Sequence, residues 1–154
     1  MESGAVDKVT LAELALHNAN IIEPLSDWML RYLVDLANLR GLQMGITLHI
    51  DGMLVSGILV GGQTYFDGIT HDIHSALGSN EDTKAIADLF VRMNNVVQAG
   101  AGETASAPPP AYIHLKEAYF FQSADSAPIP AGSGVWWRGK ISQVSGFFLG
   151  NLSV

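Results

Sequence analysis

The sequence predicts an α+β fold in which five antiparallel strands form a small, strongly curved β-barrel, with an N-terminal helix and one long inserted helix. Three observations predict it. Apolar and polar residues alternate from Ile46 to Asp51, as in a strand with one buried face. Asp51-Gly52 is the commonest signal for a two-residue hairpin turn. Gly57 lies in the middle of the returning strand, Met53 to Val60, where a glycine marks a bulge, a bend or a close backbone approach.

Composition and charge limit the possible partners. The chain has 154 residues and is expected to form one domain, in which residues 1–22 are either a short capped helix or a loosely held arm. It is 48% hydrophobic and only 15% charged, which predicts a surface partly buried against other copies or a partner. The net charge of −7 disfavours nucleic acid and anionic membranes.

The N-terminal segment, the length of the apolar runs and the cysteine content indicate the compartment and exclude some kinds of site. The N-terminus has neither a basic start nor an apolar core, so it does not resemble a secretory signal, and no apolar run reaches the length of a membrane span. We therefore expect a soluble, cytoplasmic protein. The absence of cysteine excludes disulfides, thiolate metal sites and cysteine nucleophiles.

Two helices are predicted from capping residues and helical spacing. The first runs to Arg40 with Ser26 or Asp27 as its cap, and Gly41 suits the left-handed position that closes a helix. The second is capped by Asn80 and runs from about Glu81 to Ala99. Its buried side is expected to be an apolar stripe of Ile86, Leu89, Phe90, Met93 and Val97.

The remaining strands are predicted from renewed alternation at Tyr112 to Gln122, Val135 to Val144 and Phe147 to Leu152. Segments rich in Ala, Gly, Ser and Pro, Ala99 to Pro110 and Ala124 to Gly134, predict mobile loops. The stretch after Phe66 has no definite pattern and is interpreted as a polar turn that leads into the long helix.

The only cluster with metal-ligand character is His71-Asp72-Ile73-His74, with Asp67 nearby. Imidazole and carboxylate suit zinc or iron, but no third ligand follows at a motif spacing. The chain also lacks a GxSxG elbow, a P-loop and a GxGxxG fingerprint. We therefore predict no metal, no cofactor and no enzymatic activity; a metal-dependent hydrolase that uses His71 and His74 is the enzyme alternative.

One cluster combines cationic and aromatic residues, from Trp136 to Lys140. Adjacent tryptophans in a strand point to opposite faces, so one is expected in the core and the other on the outer surface. Trp and Arg concentrate at protein contacts, which favours an interface over the binding of a nucleotide or an acidic partner by stacking and charge. With the aromatic tail included, the interaction candidates are Trp136, Trp137, Arg138, Lys140, Phe147 and Phe148.

Two family resemblances follow from these motifs. The order of the motifs resembles an Sm-like barrel: a helix is followed by IxLxxDGMLVSGxL, YIHLKEA and WWRGKISQV. The matching positions are Gly52, Gly57, Leu59, Arg138, Gly139 and Ile141. The resemblance implies a binding module for RNA or nucleotides, which is the alternative function. The Asp and Asn expected in Sm proteins after the second strand are replaced around Gln63 and Asp67.

The sequence is also similar to the gas vesicle accessory protein U (GvpU) family. The similarity lies in LVDLANLRGLQMGITLHIDGMLVSGILVGGQTYF, HLKEAYFF and WWRGKISQVSGFFLGNLS. It implies a cytoplasmic, non-catalytic protein that associates with gas vesicles and influences their formation or clustering. Such a protein must self-associate or grip a protein shell, which exposed strand edges permit. We therefore expect a homo-oligomer that contacts the gas vesicle shell or other gas vesicle proteins.

Overall fold

The computed structural model describes residues 27–78, 80–100, 109–123 and 125–152, with the backbone alone for 94–100. This part of the chain contains three α-helices and five β-strands, which confirms the α+β class. The elements are α1 (Trp28–Arg40), β1 (Met44–Ile50), β2 (Met53–Val60), α2 (Gly62–Leu77), α3 (Glu81–Gly100), β3 (Tyr112–Phe121), β4 (Val135–Lys140) and β5 (Gly146–Leu149). The predicted N-terminal arm and most of the first predicted loop lie outside the described residues.

The five strands form one antiparallel sheet in the order β4-β3-β2-β1-β5. In the described ranges β4 pairs only with β3 and β5 only with β1, so the sheet is open and the predicted barrel closure is not observed. The strand predicted to reach Val144 ends at Lys140, and a short 3-10 turn, Ile141–Gln143, follows it. Ile141 and Val144 are buried in the main core, so this turn carries the chain past the core to the far edge of the sheet.

The first helix and the hairpin follow their local signals. Asp27 caps α1 by accepting hydrogen bonds from the backbone N–H groups of Met29 (2.8 Å) and Leu30 (3.3 Å). Gly41 closes the helix with a left-handed φ of 67°. Asp51 and Gly52 have φ values of 50° and 81°, as a type I′ turn requires. The predicted start and end of the helix and the predicted turn are therefore confirmed.

Gly57 marks a bulge and a close backbone approach, as predicted. Two residues of β3, Glu117 and Ala118, lie opposite this one glycine, and Glu117 has a positive φ of 51°. A Cβ atom on Gly57 would lie 3.0 Å from the carbonyl oxygen of Lys116 and 3.1 Å from Cα of Ala118. The extra residue shifts the side-chain alternation of β3 by one position, so both halves of the strand keep their apolar residues on the same face.

Alternation divides the sheet into two faces. The inner face packs against α1 and forms the main core, which consists of Leu30, Val34, Ala37, Ile46, Leu48, Val55, Leu59, Ile113, Leu115, Ala118, Ile141 and Val144. On the outer face, α2 packs against β2, β3 and β4. A smaller cluster forms there from Val60, Tyr65 and Phe66, with Ile58, Ile69, Phe90 and Trp136 packed around it.

Helix α2 corrects the prediction of a polar turn after Phe66. It begins at Gly62, directly after β2. The amide side chain of Asn38 in α1 accepts a hydrogen bond from the backbone N–H of Gly62 at 2.9 Å, and a Cβ on Gly61 would lie only 2.6 Å from the Ala37 carbonyl oxygen. The start of α2 is therefore held by a residue 24 positions earlier, which no local pattern reveals.

Helix α3 begins as predicted. The side-chain oxygen of Asn80 accepts hydrogen bonds from the backbone N–H (2.8 Å) and the hydroxyl (2.7 Å) of Thr83. Glu81 and Asp82 occupy the first turn, where the helix dipole favours negative charge.

The predicted buried stripe of α3 is wrong. Thr83 and Ala87 are buried, whereas Ile86, Leu89 and Met93 are exposed, Leu89 to 55%. Phe90 keeps an inward position with its ring centroid 6.2 Å from that of Phe66, and the Val97 side chain lies outside the described part. The reason is that α3 packs against α2, and the small residues Thr83 and Ala87 let the two helices approach closely.

This orientation of α3 can be tested with two matched substitutions. Ala87→Glu buries a carboxylate between the helices and should lower the free energy of unfolding by at least about 2 kcal/mol. Leu89→Glu adds the same charge to the exposed side and should change it by no more than about 0.5 kcal/mol. Urea denaturation monitored by circular dichroism measures both values. A larger loss for Leu89→Glu than for Ala87→Glu would contradict the orientation.

Candidate interaction site

The six interaction candidates fall into two groups at opposite edges of the sheet. The four on β4 lie at one edge and the two on β5 at the other, with three strands between them. Arg138, Lys140 and Phe148 are exposed, whereas Trp136, Trp137 and Phe147 are partly buried. The candidates therefore do not form one continuous surface.

Trp136 and Trp137 point to opposite faces of the sheet, as predicted. Trp137 packs against the main core on the inner face. Its ring also covers Gly139, because a Cβ atom on this glycine would collide with the indole. Trp137 is therefore a structural residue of β4.

Trp136 is bound to α2 on the outer face and does not stand free on the surface. Its indole Nε1–H donates a hydrogen bond of 2.9 Å to Asp72. Its ring lies on Gly68, where any Cβ would collide with it, and meets the ring of Tyr65 edge-on at a centroid distance of 6.1 Å. These contacts attach the edge strand β4 to the helix.

His71 and His74 lie on exposed positions of α2. Asp72, between them, accepts the hydrogen bond from Trp136. Among the described residues, no group of three or more His, Cys, Asp or Glu side chains is arranged to hold a metal ion. The structure therefore gives the hydrolase alternative no ligand set at these histidines.

On the outer face, the interaction candidate Arg138 forms a polar cluster with two residues that the sequence motifs did not identify, His114 and Tyr112. The Arg138 Nε–H donates a hydrogen bond to His114 Nε2 at 3.2 Å. The guanidinium carbon lies 3.6 Å from the centre of the Tyr112 ring, which is a cation–π contact. His114 and Arg138 are direct cross-strand partners, and Tyr112 lies two residues before His114 on the same face. The alternation of Tyr112 and His114 is the sequence signal for the two residues that β3 contributes.

Packing and charge together keep the His114 imidazole neutral. Tyr65 and Phe66 cover the ring, with centroids at 4.6 and 5.9 Å. Burial lowers the pKa of His114 to about 4, and the positive charge of Arg138 acts in the same direction. Burial also raises the pKa of the Tyr65 hydroxyl above its usual value, although Arg138 opposes this shift.

The proton of His114 can be assigned from its partner. A guanidinium can only donate hydrogen bonds, so Nε2 of His114 is the acceptor and the proton lies on Nδ1. Nδ1 is buried and has no hydrogen-bond partner among the residues that the structure describes. A buried N–H without a hydrogen-bond partner lowers the stability of the folded protein. The neighbours of His114 therefore hold it in this position at a cost in folding free energy.

The C-terminal segment covers the other half of the outer face. The Thr47 hydroxyl donates to the Gly150 carbonyl at 2.9 Å and lies 3.0 Å from the Ser56 hydroxyl, which accepts the Leu152 N–H at 2.8 Å. Gly45 leaves room for Asn151, whose side chain occupies the position of a Cβ. The predicted last strand therefore ends at Leu149, and residues 150–152 bind the outer face of β1 and β2.

These features define a small α+β protein with an open sheet whose edge strands are held by aromatic and polar contacts. The family model described as gas vesicle protein GvpU-like matches residues 27–152, and the chain belongs to this family. It is a family of gas vesicle accessory proteins and is not a known enzyme family. No curated protein and no solved structure matches the chain. None of the helices in the described ranges has the length and apolar character needed to span a membrane.

The neutral state of His114 predicts an acid-dependent loss of stability. Its pKa in the folded protein, about 4, lies below the ordinary value of 6.5, so the unfolded chain binds a proton more readily than the folded chain between these two values. The contribution of His114 to the free energy of unfolding is therefore fully present above pH 6.5 and is lost as the pH falls towards 4. Over that window His114 should lower the free energy of unfolding by up to about 1.4 kcal/mol per pH unit.

The control is His114→Gln, whose side-chain oxygen can still accept from Arg138 but does not titrate. Urea unfolding between pH 4 and 7 gives the free energy of unfolding as a function of pH. Its slope should be shallower for this variant, by the amount that corresponds to close to one bound proton. Identical slopes for the two proteins would show that His114 is not held neutral in the folded state.

Proposed function

We propose that this protein is a non-catalytic, self-associating accessory protein of the gas vesicle system, which influences vesicle formation or clustering through protein–protein contacts. Membership of the GvpU-like family supports the connection to gas vesicles. One structural observation carries the proposal of self-association: within the described residues, the sheet ends in two strands, β4 and β5, that are each paired on one side only.

Unpaired strand edges favour association by strand pairing. Each edge presents backbone N–H and C=O groups that can continue the sheet with another strand. Pairing of β4 in one copy with β5 in the next is a head-to-tail contact, which generates a ring or a filament. Either product presents many copies of the same surface and gains avidity for a repetitive protein shell.

The side chains at the two edges favour β4–β5 pairing over pairing of identical edges. β4 carries two cations, Arg138 and Lys140, so two β4 strands placed side by side repel each other. β5 has no charged residue, and its Phe148 and Leu149 side chains are 48% and 52% exposed. An uncharged, apolar edge lacks the charged side chains that block strand pairing at many sheet edges.

The partners in this proposal are other copies of the chain and proteins of the gas vesicle, and the place of action is the cytoplasm beside the vesicles. The Sm-like alternative, binding of RNA or a nucleotide, has one observation in its favour: the exposed Arg138 guanidinium stacks on Tyr112. The net charge of −7 argues against it. Fluorescence anisotropy with a labelled RNA at low salt decides this point, since the alternative requires binding that Arg138→Ala abolishes.

Self-association can be tested at the β5 edge. Wild-type protein should form an oligomer at tens of micromolar, roughly the range in which weak interfaces are populated. Phe148→Lys adds a charge to the exposed edge and should weaken the association at least about tenfold, a loss typical of charge at a strand edge. Sedimentation velocity measures the distribution of species.

Leu39→Lys is the matched control. Leu39 is an exposed leucine on α1, a helix outside the sheet that packs on the interior strand β2, so the same added charge should leave the oligomer intact. Trp137 is unsuitable as a probe because its substitution would disturb the core. A wild-type protein that is strictly monomeric at these concentrations, or equal behaviour of the two variants, would contradict the proposal.

A further inference from the structure

Arg138 is held in a fixed position before any partner binds. The Tyr112 ring lies under the guanidinium at 3.6 Å, and His114 takes the Nε–H at 3.2 Å. The first contact holds the guanidinium over the Tyr112 ring, and the second fixes the direction of its Nε–H. A free arginine side chain loses considerable rotamer entropy when it is ordered by a ligand, and here the fold has already ordered it.

The contact with His114 leaves the positive charge of Arg138 uncompensated. Because the imidazole is neutral and its Nε2 accepts the hydrogen bond, it orients the guanidinium without cancelling its charge. Within the described ranges, Arg138 makes the contacts with His114 and Tyr112 and none with a carboxylate. Within the described ranges this exposed arginine has no acidic partner, and its charge is available to a carboxylate of another molecule.

The orientation also determines which donors remain. A guanidinium has five N–H donors, and the Nε–H is used by His114. The four N–H groups on the two Nη atoms are therefore the ones left for a ligand. Two such groups, side by side and coplanar, match the two oxygens of a carboxylate.

We infer that Arg138 is a binding residue for a protein carboxylate, the side chain of an Asp or Glu that approaches the β4 edge. This inference rests on the proposed function, since it names a contact within the protein–protein association. The carboxylate belongs either to a second copy of this chain or to another protein. The outer face of β3 and β4 adds only Lys116 and Lys140 to Arg138. Three cations suit a short acidic segment, whereas a nucleic acid backbone typically takes about six to ten phosphate contacts.

The direct test is a titration with hexaglutamate, monitored by the arginine Nε–H signals in ¹H–¹⁵N spectra. Hexaglutamine is the uncharged control peptide. The Arg138 signal should shift with hexaglutamate and not with hexaglutamine. Arg138→Gln should weaken hexaglutamate binding at least about tenfold, as expected when charge-assisted hydrogen bonds are lost. Arg138→Lys should weaken it nearly as much, because a lysine keeps the charge but not the paired donors.

Lys140→Gln removes one positive charge from the same strand and should weaken hexaglutamate binding much less than Arg138→Gln. Equal losses for these two variants would mean that net charge alone binds the peptide and would overturn the inference. Tighter binding of a six-nucleotide RNA than of hexaglutamate, lost in Arg138→Gln, would overturn it in favour of nucleic acid. Unchanged urea midpoints for all variants show that the differences do not arise from unfolding.

Sedimentation of the same variants separates this inference from the proposed function. If wild-type protein is monomeric but binds hexaglutamate through Arg138, self-association fails and the carboxylate site stands. If the protein is oligomeric and hexaglutamate does not bind, self-association stands and the carboxylate site fails. When Arg138→Gln also weakens the oligomer, the carboxylate comes from a second copy. When it spares the oligomer but loses hexaglutamate binding, the carboxylate comes from another protein.

Discussion

The backbone N–H and C=O groups of a strand form hydrogen bonds on both sides of the strand. Within the described chain, the two terminal strands of this sheet, β4 and β5, have a neighbouring strand on one side only. The rest of the architecture follows from how the two edges are held. A buried turn after β4 takes the chain past the main core, and β5 then joins the far edge. The described strands therefore leave the sheet open, with one edge at β4 and the other at β5.

Contacts on the outer face hold the β4 edge in a defined position. Trp136 attaches β4 to α2 through its hydrogen bond to Asp72 and the contact of its ring with Gly68, so the edge strand has a defined position. Beside it, the neutral His114 orients Arg138 on the Tyr112 ring. His114 carries a buried N–H without a hydrogen-bond partner among the described residues. This costs stability, and an apolar residue at the same position would avoid the cost. The arrangement is readily understood if the orientation of Arg138 matters for binding.

The sequence predicts those elements whose signals lie within a few residues. Asp27 and Gly41 delimit α1, Asp51-Gly52 sets the hairpin, and Asn80 starts α3, because a cap or a tight turn is satisfied locally. The start of α2 depends on Asn38, a distant residue, so no local pattern predicts it. The apolar stripe of α3 has helical spacing and therefore predicts a buried side, but small residues on a neighbouring side of the helix pack against α2. Likewise, the pairing of His114 with Arg138 depends on strand register, which the spacing of 24 residues does not encode.

In the proposed function, the two edges of the described sheet are the association surfaces of this gas vesicle protein. Amide hydrogen exchange of the wild-type protein at low and high concentration tests it most directly, because strand pairing protects the backbone groups it engages. Protection of Val135–Lys140 and Gly146–Leu149 should rise with protein concentration, while that of β2, in the interior of the sheet, should stay constant. Protection of the two edges that is independent of concentration would contradict it.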